Sequence, residues 1–260
     1  MAHLKDLLDS YAARYNVPAF VLDDPVQFPR LFSDKRDIEI ASLLVSTIAW
    51  GKRSMICRNA TRLLQTMEMQ PYRYLMDGEW ESLPDANIHR TFFSANLRHY
   101  LRGLREIYRR HGSLEDFARA CGAVGSPEPA WELARGINAA LCDANGGRTD
   151  SRCLPLNLDS TALKRLNMAL RWLVRDDGIV DLGVWKAISP ASLFIPLDVH
   201  VGNVSRALGL LDRRANDRRS VLDLTAALRR FDPADPVRYD FALFGIGVNA
   251  ENINFDDLKS

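Results

Sequence analysis

Apolar residues recur at helical spacing along almost the whole chain. One predicted helix begins at Ser33–Asp37 and ends at Trp50–Gly51, and its isoleucines and leucines leave almost no polar face. Such a helix should lie at the centre of the molecule. No run alternates apolar and polar residues as a half-buried strand would, so the pattern predicts an all-α protein. The same periodicity predicts further helices over residues 4–15, 54–69, 92–111, 129–142, 161–175, 221–231 and 239–248, with a short one around Val184–Lys186.

The segment Phe194–Leu211 places a carboxylate at the start of another helix. Pro196 interrupts the preceding chain, Asp198 is a favoured N-cap residue, and valines and leucines follow at helical spacing until Gly209 stops the helix. Two interpretations remain open at this point. Asp198 only caps a core helix, or its carboxylate also serves a functional site.

Composition limits the classes of protein. The chain has 260 residues, of which 47% are apolar, which suffices for one large domain or two lobes that share a cleft. No apolar run approaches the length of a membrane span and no leader pattern opens the chain, so we expect a soluble, cytoplasmic monomer without a membrane partner. Cys57, Cys121, Cys142 and Cys153 show no Cys-x-x-Cys pair and no metal-site spacing, so we expect them to be free thiols. We also expect no structural metal and no cofactor.

Positive charge is clustered, although the net charge is only +1. Only six lysines occur, which leaves few candidates for a nucleophilic amine. The arginine clusters have two open interpretations, a phosphate-binding surface or an ordinary solvated face. They lie between residues 206 and 219 and along one predicted helix at Arg98, Arg102, Arg105, Arg109 and Arg110.

Two groups of residues are candidates for a binding or catalytic site. Lys164 and Arg165 lie in the first turn of a predicted helix, where the helix dipole disfavours cations, and such local conflicts are typical of functional sites. Trp50, Lys52 and Arg53 lie at a predicted turn, where they would stack on and clamp a nucleic acid, although a tryptophan after an apolar helix is more often part of the core.

The motif Ile195-Pro-Leu-Asp-Val-His-Val-Gly-Asn-Val-Ser-Arg206 resembles the segment with the catalytic aspartate in the helix-hairpin-helix DNA glycosylase superfamily. The early helix 38–52 and the late helix 239–248 look like two further parts of that fold. Within the superfamily, Lys-Arg-Leu-Asn-x-x-Leu-Arg-Trp at residues 164–172 looks most like an uncharacterised bacterial family distantly similar to archaeal 8-oxoguanine glycosylase. The likeness covers about residues 36–249, and the glycine-rich hairpin and iron-sulfur cysteines of the superfamily are missing.

The resemblance implies two helical lobes around a cleft, about residues 36–195 and about residues 1–35 plus 196–260. It implies excision of a damaged base, with oxidised bases among the candidates, from duplex DNA and a lyase step through a Schiff base. Asp198 is the matching catalytic carboxylate, and Lys164, 34 residues upstream, or Lys186 is the nucleophile. The pocket or nucleic-acid contacts would come from Trp50, Lys52, Arg53, Arg165, His200, Asn203 and Arg206.

Two other functions stay open from the sequence. In the first, the chain is a non-catalytic helical module that binds nucleic acid or a protein partner. This function stays open because the missing hairpin glycines would weaken the binding of phosphate by backbone N–H groups. Alternatively, it acts on a free or RNA-borne modified nucleoside.

Overall fold

Helices account for nearly all regular structure in the computed structural model, which describes residues 2–249. The only sheet in this range has two short strands, so the all-α prediction is confirmed at the level of fold class. None of these helices is long and apolar enough to cross a membrane. The helices are α1 (Ala2–Tyr15), α2 (Pro18–Asp23), α3 (Lys35–Thr47), α4 (Arg53–Thr66), α5 (Pro71–Asp77), α6 (Ser94–His111), α7 (Leu114–Ala120), α8 (Pro129–Ala144), α9 (Lys164–Val174), α10 (Val199–Ala207), α11 (Arg218–Arg229) and α12 (Tyr239–Asn249).

The two strands correct the expectation that the chain contains no strand. β1 (Asn87–His89) pairs antiparallel with β2 (Phe92–Phe93), so the helix predicted from residue 92 begins instead at Ser94. Arg90 turns the chain between the strands with a left-handed φ of 51°. Strands of two and three residues are too short to show an alternating pattern, which is why periodicity missed them.

The helix predicted around Val184–Lys186 does not form. The backbone N–H of Trp185 donates to Leu173 at 2.8 Å, and its indole N–H donates to the buried Glu39 carboxylate at 2.7 Å. The next two backbone N–H groups both donate to Glu115 at 2.6 Å. Because distant acceptors take these donors, the segment runs extended along α9 although its local sequence permits a helix.

Four helix pairs build the core. α1 and α10 both pack on α12, while α3 packs on α9 and α6 packs on α8. At the first contact Gly245 is needed for space, because a Cβ there would lie 2.1 Å from the Tyr15 ring. The buried apolar side chains form one continuous cluster, so the N-terminal and C-terminal helices share a core with the central ones.

Candidate functional site

A cavity of about 840 Å³ lies where the loop after α3 and the N-termini of α9 and α10 meet α12. Its volume is in the range of small-molecule sites. It brings together six of the nine residues that the sequence indicated for a site, although they are up to 150 positions apart in the chain. These six are Trp50, Arg53, Lys164, Arg165, Asp198 and His200.

Asp198 is held at the start of α10 by local hydrogen bonds. Its carboxylate accepts from the Val201 N–H at 3.0 Å, which confirms the predicted N-cap, and its own carbonyl accepts from the Asn216 side chain at 3.0 Å. Pro196 and Leu197 just before it are buried, so the chain enters the helix from the core. The carboxylate also lines the cavity, so the capping role does not prevent contact with a ligand.

Lys164 is the first residue of α9 and points its amine at the same cavity. Leu163 before it is buried in a left-handed conformation with φ 47°, an unfavourable backbone state that fixes where the lysine leaves the main chain. The amine contacts the Met168 sulfur at 3.7 Å, and no carboxylate within residues 2–249 lies within 4.0 Å of it. By contrast, Lys186 is exposed, pairs with Asp176 at 2.7 Å and does not line the cavity.

Two further carboxylates, which the sequence did not indicate, line the cavity. Asp24 is buried after α2, and burial raises its pKa, while Arg171, Arg53 and Lys164 oppose that shift. Asp240 is buried in the first turn of α12, where burial raises its pKa to about 6 and the nearby Asp198 adds to the rise. Asp240 could have been found from the sequence, because it is a single acidic residue in the otherwise apolar segment after Tyr239. No comparable sequence feature indicates Asp24.

A buried arginine holds Asp240 in place. Arg171 of α9 donates to Asp240 and, at 3.2 Å, to the buried Asp181, and its guanidinium lies 4.4 Å from the ring centroid of Phe241. Because both carboxylates are desolvated, the guanidinium is needed to offset the cost of their burial. This network fixes α9 relative to α12 and therefore fixes Lys164 relative to Asp240.

Trp50 and Arg165 line the cavity next to each other. The Arg165 guanidinium lies 5.1 Å from the Trp50 ring centroid and donates to the Thr47 carbonyl. The His89 ring meets Trp50 edge-on at 4.6 Å and donates to its carbonyl at 2.8 Å. Burial lowers the pKa of Arg165, and no carboxylate of the described chain pairs with it. Trp50 is half-buried and lines the cavity, so it is not simply a core residue.

Aromatic rings also line the mouth. The Arg53 guanidinium lies 5.4 Å from the Phe244 centroid, and the His200 ring lies 6.3 Å from the same centroid. Phe20 of α2 also lines the cavity. The mouth therefore combines flat apolar surfaces with a cation, a pattern suited to stacking on a planar ligand.

Three residues that the sequence indicated for the site do not line the cavity. Lys52 and Asn203 are exposed outside it. Arg206 donates to the carbonyls of Arg213 and Ala215 and to the Asn216 side chain. Since Asn216 in turn holds Asp198, Arg206 supports the start of α10 indirectly.

Most arginines of the predicted basic clusters are paired and lie away from the cavity. On α6, Arg98 pairs with Asp85 and Arg102 with Glu81, while Glu106 lies within 4.0 Å of Arg109 and Arg110. Arg105 instead lies over the Trp80 ring. In the 206–219 region, Arg213 pairs with Asp217. These clusters are therefore largely neutralised by neighbouring acids.

Within residues 2–249, the other side chains that could hold a metal or form a disulfide are dispersed. No group of three or more His, Cys, Asp or Glu side chains in this range is arranged to hold a metal ion. The four cysteines are free thiols, as predicted.

Comparison with known proteins gives one match. No curated protein and no solved structure matches the chain significantly. The model of the DUF2400 family, described as a protein of unknown function, matches residues 24–249, which include every cavity residue described above except Phe20. The chain therefore belongs to the DUF2400 family.

Proposed function

We propose that this protein is a DNA glycosylase with a lyase step, which removes a damaged base through a Schiff base on Lys164. The observation that carries the proposal is that the Lys164 amine and the Asp198 carboxylate line one cavity, although they come from different helices. The resemblance of the Asp198 segment to the helix-hairpin-helix glycosylases supports the same assignment.

The cavity suits a nucleotide rotated out of a duplex. A base cannot be attacked while it is stacked, so such enzymes extrude the nucleotide into a pocket with aromatic walls. The volume of about 840 Å³ and the rings of Trp50 and Phe244 meet both needs. Lys164 and Asp198 would then flank the sugar.

The chemistry begins with nucleophilic attack by the Lys164 amine. Its nitrogen bonds to C1′ while the bond from C1′ to the base breaks, and the base leaves with the electron pair and takes up a proton. The attached nitrogen then loses a proton, the C1′–O4′ bond opens with protonation of O4′, and a protonated imine remains. Asp198 stabilises the positive charge that develops on the sugar during the first step.

One observation favours the non-catalytic alternative. The helices α8 and α9 are joined by residues 145–163, which contain no further helix, rather than by a short glycine hairpin that would bind phosphate through its N–H groups. A binding module would retain the cavity without the reaction. Action on a free or RNA-borne nucleoside uses the same two residues and differs only in the substrate.

Borohydride trapping tests the proposal directly, because hydride reduces the imine to a stable protein–DNA adduct. Wild type should give an adduct with at least one member of a panel of lesion-bearing duplexes. Lys164→Gln should abolish it, and Lys186→Gln, which alters a lysine outside the cavity, should trap normally. Asp198→Asn should slow base release by roughly two to four powers of ten and leave the cap largely intact, because Asn also caps helices.

Two results would reject parts of this proposal. Loss of the adduct in Lys186→Gln but not in Lys164→Gln would move the nucleophile and keep the glycosylase. Absence of any adduct or released base with wild type across the panel, with normal binding of DNA, would favour the non-catalytic module.

A further inference from the structure

Helix α4 and the turns at its N-terminus carry basic residues without acids. Residues 40–67 contain no Asp or Glu. The side chains of α4 that face solvent are all polar: Ser54, Arg58, Thr61, Arg62, Gln65 and Thr66. We define the α4 surface as these residues together with Lys52, Arg53 and Arg90.

The five cations of the α4 surface differ from the other arginine clusters in their pairing. On α6, Arg109 and Arg110 lie 3.2 and 3.6 Å from the Glu106 carboxylate. No carboxylate of residues 2–249 lies within 4.0 Å of any cation of the α4 surface. Its positive charge is therefore available to an external anion.

The α4 surface is continuous with the mouth of the cavity. Arg53 lines the cavity, and Gly51 before it lies under the Arg90 guanidinium, where an added Cβ would be 2.7 Å from Nη1. Arg58 and Arg62 follow one helical turn apart. From Lys52 to Arg62 the surface extends roughly 15 Å at 1.5 Å per residue.

We propose that the α4 surface binds the phosphodiester backbone of the strand that delivers a nucleotide to the cavity. With one phosphate per 3.4 Å of axis on each strand, ~15 Å corresponds to about four phosphates. The inference rests on the proposed function, because it takes the cavity ligand to be part of a nucleic acid.

The composition of the α4 surface favours a nucleic acid over an acidic protein. Stable protein interfaces have an apolar core, and no exposed α4 side chain is apolar. Arginine, Ser, Thr and Gln are the side chains that contact phosphate and sugar in protein–DNA complexes. The same chemistry fits DNA or RNA, since both present phosphodiesters.

Titration of labelled nucleic acid tests the proposal. Arg58→Gln/Arg62→Gln removes two cations that lie outside the cavity, and Arg109→Gln/Arg110→Gln is the matched control, since it removes the same charge from α6. Binding of a duplex DNA with a central abasic analogue is measured by fluorescence anisotropy at several salt concentrations, with a single-stranded RNA of equal length in parallel. Thermal unfolding of both variants checks that the fold is kept.

We expect Arg58→Gln/Arg62→Gln, the α4 variant, to bind DNA roughly tenfold more weakly at low salt. The slope of the logarithm of its binding constant against the logarithm of the salt concentration should fall in magnitude by about 1.8, which corresponds to two lost phosphate contacts. The control should bind like wild type. The stronger of the DNA and RNA arms identifies the source of the phosphodiester.

Three outcomes would overturn the proposal that the α4 surface binds nucleic acid. They are unchanged binding by the α4 variant, an equal loss of affinity in both variants, or, with polyglutamate titrated as a probe for an acidic protein, binding of polyglutamate but of neither nucleic acid. Borohydride trapping separates this inference from the proposed function. An adduct with unchanged binding by the α4 variant rejects the surface and keeps the glycosylase. Binding through the α4 surface with neither an adduct nor a released base on any lesion keeps the surface and rejects the glycosylase.

Discussion

At the scale of single residues, burial raises the pKa of two carboxylates that line the cavity, Asp24 and Asp240. Asp240 is 7% exposed, and desolvation raises its pKa to about 6 although Arg171 opposes the shift. In the unfolded chain an aspartate has a pKa of about 3.9. The folded protein therefore binds a proton at this position over a range of pH in which the unfolded chain has already lost it.

This shift predicts the sign of a pH effect on stability. Because the folded pKa is raised, Asp240 contributes stability at low pH that is lost as the pH rises from about 4 to about 6. Relative to Asp240→Asn, wild type should lose on the order of 2 to 3 kcal/mol of unfolding free energy across that range, and little more above it. Urea unfolding of both proteins between pH 4 and 8 measures the difference. A difference that stays flat, or that grows in favour of wild type with rising pH, would contradict the assignment.

At the scale of elements, local chemistry predicted where α10 begins, whereas the helix predicted from residue 161 begins three residues later, at Lys164. Asp198 caps α10 as its residue type indicated, and the predicted stripe of buried leucines on α9 is present. The prediction of a helix around Trp185 is wrong because the backbone N–H groups of this segment donate to Leu173 and Glu115, which are distant in sequence. Hydrophobic periodicity depends only on residues that are close in sequence. It therefore predicts most helices, but it cannot detect hydrogen-bond acceptors, distant in sequence, that prevent a helix from forming.

The contact of α1 with α12 gives a prediction at this scale. Gly245→Ala places a Cβ 2.1 Å from the Tyr15 ring, so the two helices must separate or the ring must move. We expect a loss of roughly 1 to 3 kcal/mol, the usual cost of overpacking. Chemical denaturation measures it, and Tyr15→Ala/Gly245→Ala should show a smaller effect of the glycine change than Gly245→Ala alone. A neutral Gly245→Ala would mean that α1 packs loosely on α12.

At the scale of the whole molecule, the cavity is a product of packing that sequence order hides. Asp24, Lys164 and Asp240 line one cavity, but they are separated by more than 70 residues each. The Asp198 segment was found because its local motif is informative, and Asp24 was missed because only tertiary contacts bring it to the site. The network around Arg171 is the clearest example, since it joins α9 to α12 and to the loop of Asp181.

That network predicts a large effect from one substitution. Arg171→Met fills similar space but leaves Asp240 buried without its cation, while Asp181 keeps only Arg175, at 3.0 Å. Removing one member of a buried ion pair typically costs about 3 to 5 kcal/mol, because the remaining charge stays desolvated. Urea unfolding should show this loss at pH 8, with tryptophan fluorescence and circular dichroism falling together, because one continuous core joins the helices.

The effect of Arg171→Met should also depend on pH in a definite direction. Burial raises the pKa of Asp181 and of Asp240, and Arg171 lowers both, so the substitution raises both further. Near pH 5 the Asp240 carboxyl, which has lost its cation, is then protonated, and the loss should be smaller than at pH 8. The double variant Arg171→Met/Asp240→Asn should recover part of the stability at pH 8, since it removes the unpaired charge, while Asp181 keeps its ion pair with Arg175. A loss that is independent of pH, with no recovery in the double variant, would show that Arg171 acts through its contact with the Phe241 ring and not by offsetting the charge of Asp240.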